Sequence, residues 1–252
     1  MKREFIYFII ISVLCFWACS QNNKPYYFIS FNNPIDKVSV KGKWLGDRET
    51  EKWSIYDGHS NLLSQGNYHN GLKVGKWKHY IDKELININW SIYTTLDNSL
   101  TTNYPSDWQV VSDTTYKFRA HFGKNCSFTI ELIGNDDDEI SIDDFNLIIK
   151  QTISRKYKIE EESYNKMINN QNEINVNKIS ILKDDQRIYI YEASCLINKN
   201  MYDFFLKTTD SSSVPGLIFL NILQGCYIKN IRIINPLYPT KLFTNNVPAQ
   251  NF

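Results

Sequence analysis

The chain has 252 residues, and its 28 basic residues are balanced by 27 acidic ones. With neither a basic excess nor a basic block it has no electrostatic footprint for nucleic acid, which is excluded as a partner. The length suffices for one or two domains with real cores. The five cysteines show no C-x-x-C spacing, so neither a zinc site nor a redox motif is suggested.

The first residues read as a targeting segment. Lys2 and Arg3 precede an apolar run of 14 residues, Phe5 to Ala18. A membrane-spanning helix needs about 20 such residues, so the run fits the hydrophobic region of a signal peptide instead. Ala18, Cys19 and Ser20 close it, and a polar tether follows over 19–35. A small residue before a cysteine at this place resembles the lipobox of bacterial lipoproteins. That resemblance implies cleavage after Ala18, lipid on Cys19, and a mature protein held in the bacterial cell envelope by that lipid. Two alternatives stay open: an ordinary secretory signal with an incidental cysteine, and a short membrane anchor. Removing residues 1–18 takes out Lys2, Arg3 and Glu4 and leaves the remainder neutral.

Residues 36–95 repeat themselves. "GKWLGDRETEKWSIY" (42–56) and "GNYHNGLKVGKWKHY" (66–80) align with Gly42 on Gly66, Trp44 on Tyr68, Trp53 on Trp77 and Tyr56 on Tyr80, each pair 24 apart. A fixed period in this range marks repeated supersecondary units. Gly71, Gly75 and Lys76 suggest a phosphate loop at first sight. Their spacing is one residue short, and Trp77 stands where a hydroxyl should hold magnesium, so no nucleotide cofactor is expected. Asn70-Gly71 predicts a type I′ hairpin turn, and Gly75 suits a bulge. Ile86, Ile88, Trp90 and Ile92 alternate with polar neighbours, which predicts a strand with those four facing inward. The string "WSIY" recurs at 53–56 and 90–93, so a third, degenerate copy begins at Trp90.

The pattern from Gly66 to Tyr80 resembles the MORN-type repeat in its bacterial YwqK-like variant. The first copy departs from it at Glu51, where the second has Gly75, and in its turn. The resemblance implies a β-hairpin ribbon used for scaffolding or contact, with no catalytic residues. Trp44, Trp53, Tyr56, Tyr68, Trp77 and Tyr80 are its candidate binding residues. The polar stretch 94–103 is expected to be a linker.

From about residue 100 to 235 the style changes. Tyr116, Phe118, Ala120 and Phe122 alternate with polar residues, as do Phe128, Ile130 and Leu132, which predicts a hairpin around "GKN". Ser141 with Asp144 forms a capping box, and Ile142, Phe145, Ile148, Ile149 and Ile153 follow helical spacing. Strands are expected near 158–164, 176–182, 187–197 and 201–208. The run Leu217–Tyr227, apolar nearly all round, predicts a buried second helix. With "YPSDW" (104–108) at its front, this order resembles the PsbP-like fold. That implies an α/β/α sandwich serving assembly or binding, followed by a tail over 236–252. The fold class expected for the whole chain is therefore α+β: a hairpin-repeat ribbon, then an antiparallel-sheet sandwich.

No reactive constellation stands out. Of the four histidines, His59, His69, His79 and His121, the first three sit beside turns or on strand faces read as exposed, and no metal site is expected. The acidic run Asp136–Glu139 lacks the glycine and glutamate of a calcium loop and suits a helix N-terminus. Ser211–Ser213 have no nucleophile-elbow context. Arg187 and Tyr189 could face a cleft, but nothing in the sequence singles them out. Cys126, Cys195 and Cys226 form one disulfide with a free thiol, or three buried thiols. The expectation is a non-catalytic, lipid-anchored binding or scaffolding protein, with no cofactor. Its partners are the membrane and another envelope protein or surface polymer. The alternative is an envelope hydrolase with a dispersed site.

Overall fold

The computed structural model describes residues 37–45, 48–81, 83–111, 117–123, 126–134, 140–169 and 172–234, together with two short strands at 27–29 and 247–248. The chain divides into two compact units, Met1–Ile88 and Asn89–Phe252.

Unit 1 is an antiparallel meander. β1 (Tyr27–Ile29), β2 (Lys37–Leu45), β3 (Arg48–Tyr56), β4 (Leu62–His69) and β5 (Leu72–Ile81) follow one another in space as in sequence, and β6 (Glu84–Thr94) begins beside β5. Asn70 and Gly71 turn the β4–β5 hairpin with φ of 50° and 80°, the two positive values a type I′ turn requires.

The 24-residue offset recurs in the geometry. Glu51 and Gly75, 24 apart, have φ of 61° and 62°. The indole of Trp53 lies on Gly42 and that of Trp77 on Gly66, so close that a Cβ at either glycine would sit 2.2 Å from ring carbons. Trp53 Nε1 donates to the Lys43 carbonyl at 3.2 Å, and Trp77 Nε1 to the Asn67 carbonyl at 2.9 Å. The rings then form an edge-to-face ladder. Trp44–Trp53, Trp53–Tyr68 and Tyr68–Trp77 centroids are 5.1, 5.6 and 5.0 Å apart, the spacing and orientation that the ring quadrupoles favour. Burying one such Trp contributes about 4–6 kcal/mol gross, so a ladder of this kind holds a small sheet together.

In unit 2 the rest of β6 pairs with β7 (Leu100–Pro105), which continues through β15 (Tyr227–Ile228) to β16 (Ile231–Arg232). The stretch 94–103 is therefore not a linker. A tight turn, in which the Thr95 amide donates to the Leu100 carbonyl at 3.0 Å, joins two paired strands there. The expected inward face of β6 also changes part-way. Ile88 and Trp90 are buried, Ile86 is half-buried, but Ile92 is exposed. Beyond Trp90 the opposite face is packed instead, Tyr93 lying 4.8 Å from Phe118.

The main sheet of unit 2 is antiparallel throughout, in the order β17 (Val247–Pro248), β11 (Lys158–Asn169), β12 (Asn172–Lys183), β13 (Gln186–Ile197), β14 (Asn200–Thr208), β10 (Cys126–Ile133), β9 (Phe118–Phe122), β8 (Gln109–Val110). The expected hairpin around "GKN" is β9–β10, with Phe118, Ala120, Phe128 and Ile130 buried.

Two helices cover opposite faces of this sheet, and the unit is α+β. α1 (Ile142–Ser154) starts at Ser141, whose side chain accepts from the Asp144 amide at 3.1 Å as the capping box predicts. Its inner residues pack on Ile179, Ile181, Ile188, Ile190 and Met201. Ile148, expected to face inward, is 47% exposed, because the neighbouring Ile149 takes the position over the sheet. α2 (Val214–Gln224) has the apolar, all-round burial expected of it, but starts earlier than Leu217 and ends before Tyr227, which lies in β15. Its Phe219 meets Phe128 and Tyr191 on the other face, and its Asn221 carbonyl accepts from Asn103 Nδ2 of β7 at 3.4 Å.

The two kinds of glycine in the ribbon predict different costs. Gly66→Ala drives a methyl into a rigid indole and is expected to cost about 3 kcal/mol. Gly75→Ala meets no atom within 4 Å but keeps a φ of +62°, a penalty of about 1 kcal/mol. Urea midpoints of the two variants check the order; equal losses would contradict the indole contact.

Candidate functional site

The six ribbon aromatics divide between the core and partly open positions. Trp53 and Trp77 are 1% and 0% exposed, and Tyr68 is buried with them, so these three are the core of unit 1. Trp44, Tyr56 and Tyr80 are half-buried. A partner could reach part of those three rings and none of the others. Cys19 and the whole segment 1–18 lie outside the described residues, as does the acidic run 136–139. Among the described residues no helix is long and apolar enough to cross a membrane.

His79 is the histidine that departs from expectation. It is buried rather than exposed. The β4–β5 register sets it opposite Ser64, and Nδ1 meets Ser64 Oγ at 2.8 Å. Its ring stacks on Trp77 at 5.8 Å. Lys73 Nζ lies 4.8 Å above the same indole. Burial, helped by the charge of Lys73, pushes the imidazole down to about 3, so it is neutral at pH 7. A serine touching a histidine is the beginning of a nucleophile–base pair. Here both partners are covered, and a base titrating near 3 has little driving force to take a hydroxyl proton at neutral pH.

The larger polar constellation lies in unit 2, on the sheet face beneath α1. The register aligns two rows across the strands. One runs Asn175, Ser194, Asp203, Glu131 across β12, β13, β14 and β10. The next runs Asn177, Glu192, Phe205, Thr129, Arg119 and ends on β9. Glu192 and Ser194 are fully covered and Asp203 is 7% exposed. Asn177 Nδ2 donates a very short hydrogen bond to Glu192 Oε2, and a second at 3.1 Å to Asn146 Oδ1 on α1. Ser194 Oγ donates to the same Asn146 oxygen at 3.2 Å, and Asn175 Nδ2 to Asp143 Oδ1 at 3.2 Å.

Glu192 and Asp203 are within hydrogen-bonding reach of each other. Burial raises both carboxyls above their ordinary range, and for Asp203 the neighbouring charge of Glu192 adds to the effect. Two adjacent buried carboxyls cannot both ionise, so the pair holds a proton between them. Chemically the arrangement can store a proton and accept hydrogen bonds. Among the described residues no group of three or more His, Cys, Asp or Glu side chains is placed to hold a metal.

Sequence reasoning passed over this cluster. The signal was there: Glu192 interrupts "IYIYEASCLI" and Asp203 interrupts "MYDFFL", and a charge inside an apolar strand is costly unless satisfied. The residues weighed instead lie elsewhere. Arg187 pairs with Glu160 at 2.8 Å in the open, and Tyr189 is buried. Cys126 Sγ donates to Thr208 Oγ1 at 3.7 Å, Cys195 and Cys226 are free thiols, and burial pushes both of these well up.

The depressed His79 sets a pH dependence. The unfolded imidazole binds its proton near 6.5 and the folded one near 3, so the stabilisation is complete above 6.5 and is lost as pH falls toward 3. At pH 5 the expected loss is about 2 kcal/mol. In His79→Gln that acid loss is expected to vanish. Denaturant titrations at several pH values measure it; an unchanged slope in the variant would contradict the buried neutral imidazole.

No protein family is matched by this chain, and no curated protein matches it in sequence. Solved structures resemble it in backbone, among them the following three. The cyanobacterial PsbP protein CyanoP from Synechocystis sp. PCC 6803 has a TM-score of 0.45 at 10% identity, over 55% of this chain and 92% of that one. The Saccharomyces cerevisiae Ran-binding protein Mog1p gives 0.41 at 9% identity, over 62% and 100%. A Pseudomonas aeruginosa protein of unknown function, PA94, gives 0.29 at 7% identity, over 54% and 85%. At these values no residue role or partner is carried from those proteins to this chain.

Proposed function

We propose that this chain is a lipid-anchored cell-envelope protein whose folded part binds or scaffolds another macromolecule and catalyses no reaction. In this reading unit 1 is a MORN-like ribbon and unit 2 a PsbP-like sandwich. The observation that carries it is Ala18-Cys19 at the end of a 14-residue apolar run that follows Lys2 and Arg3. Lipid at Cys19 supplies the anchor, each buried CH₂ contributing about 0.8 kcal/mol, so that two or more chains hold stably. The distribution of side chains supports the binding role. The Ser64–His79 contact and the Glu192–Asp203 pair are covered, whereas Leu147 and Ile148 on the outer face of α1 are 52% and 47% exposed. Exposed neighbouring apolar side chains of this kind suit a contact surface. The partner is another envelope protein or a surface polymer.

One observation favours a second reading, an envelope hydrolase: the 2.8 Å contact between Ser64 and His79. The low basicity of that imidazole weighs against it.

The anchor is tested with a tagged fatty acid in growing cells. Wild-type protein is expected to take up label, and Cys19→Ala to lose it and accumulate as a larger precursor. Label retained in Cys19→Ala, or unlabelled wild-type protein, would refute the anchor. The binding role is tested by crosslinking the intact protein in its own envelope. A discrete adduct is expected in wild type and its loss in Leu147→Asp/Ile148→Asp. Ester or amide hydrolysis abolished by Ser64→Ala would replace this reading with the second one.

A further inference from the structure

The acid pair of unit 2 occupies a mechanical position. α1 is tied to the sheet through the same polar rows that hold the pair. Asp143 accepts from Asn175, while Asn146 accepts from Asn177 and Ser194. Asn177 spends the same amide nitrogen on Glu192, and Glu192 reaches Asp203. A continuous chain of polar contacts therefore runs from the middle of the helix to the carboxyl pair. Toward the helix C-terminus it is flanked by the apolar cluster of Ile153, Ile179 and Ile190. Toward the N-terminus lies that of Ile142, Phe145 and Met201.

We propose that the proton shared by Glu192 and Asp203 latches α1 to the sheet: the helix is seated while the pair holds a proton and lifts when the pair loses it. The reason is electrostatic. With the proton gone, two negative charges share a covered site, and the cheapest relief is to admit water by raising the helix. The surroundings do not cancel that charge. On β10, Glu131 is in register with Asp203 and adds to the repulsion. On β9, Arg119 lies one row away across Thr129, and His121 lies beside Ser127, which in turn faces Lys207 of β14. On α1, Asp143 is a further acid, and Lys150 is engaged with Glu162 at 2.7 Å. On β11 the register sets Tyr164 beside Asn177 and Lys166 beside Asn175, both on the far side of β12 from the pair.

The sign follows from the direction of the shifts. Both carboxyls are raised with the helix seated and return to the ordinary range once water reaches them. Seating is complete below the ordinary carboxylate range and weakens as pH rises toward the seated values.

Amide hydrogen exchange of the full chain, corrected for intrinsic rates, tests the latch between about pH 5 and about pH 8. The opened fraction of α1 is expected to rise about tenfold per pH unit for each retained proton. The strands β12 and β13 should lag behind, and the rise should disappear in Glu192→Gln. A flat profile in wild type, an equal rise in β12 and β13, or an unchanged rise in Glu192→Gln would overturn the proposal. Should that variant fail to fold, the carboxyl-carbon resonances of Glu192 and Asp203 in wild-type protein decide the matter. One protonated carboxyl near pH 7 is expected, and two ionised ones would overturn it.

Discussion

Strand register is the constraint on which both units depend. Successive side chains of a strand point to opposite faces, so a slip of one residue turns a face inside out. In unit 1 the register sets Gly66 beneath Trp77 and Ser64 against His79. Shifted by one, the indole would lie over Gln65 or Asn67, whose side chains fill the space it needs. The ladder of rings, the buried lysine and the neutral histidine all follow from that one alignment. In unit 2 the register does the same for polar groups. It lines up Asn175, Ser194, Asp203 and Glu131 on one row and Asn177 with Glu192 on the next.

The two units have opposite relations to pH. A neutral buried imidazole in unit 1 makes the ribbon less stable as acid is added. A pair of raised carboxyls in unit 2 makes the sandwich less stable as base is added. Between the ordinary carboxylate range and about 6.5 the two trends run against each other, so no pH is best for both. The physical cause is the same in each case. Burial disfavours the charged form, and whether that form carries the proton or lacks it decides the sign.

Helix α1 joins these considerations to function. Its inner face carries Asn146 between two apolar clusters. A polar residue at such a place does not strengthen a helix–sheet contact as an apolar one would. Its hydrogen bonds fix one seating of the helix over others. The outer face of the same helix exposes Leu147 and Ile148. The element proposed to be seated by a buried proton thus also exposes apolar surface.

Much of the architecture was legible in the sequence, because it is encoded over a few residues. Asn70-Gly71 specifies its turn by the φ values those residues tolerate. Ser141 and Asp144 specify a helix start, the Ser141 hydroxyl accepting from the Asp144 amide and donating to the Asp144 carboxylate. Period-2 alternation specifies β9 and β10, and the 24-residue offset aligns Glu51 with Gly75, which share one φ despite the change of residue. What the sequence determined ends where the interactions stop being local. That Trp53, Tyr68 and Trp77 turn inward while Trp44 stays half-open depends on which strands flank them. That His79 is buried depends on its partner being Ser64, 15 residues away. The acid pair depends on residues from α1 and strands β12, β13 and β14 meeting in one alignment. No window of a few residues contains that, because a buried charge is recognisable only from what surrounds it, and tertiary structure alone supplies the surroundings.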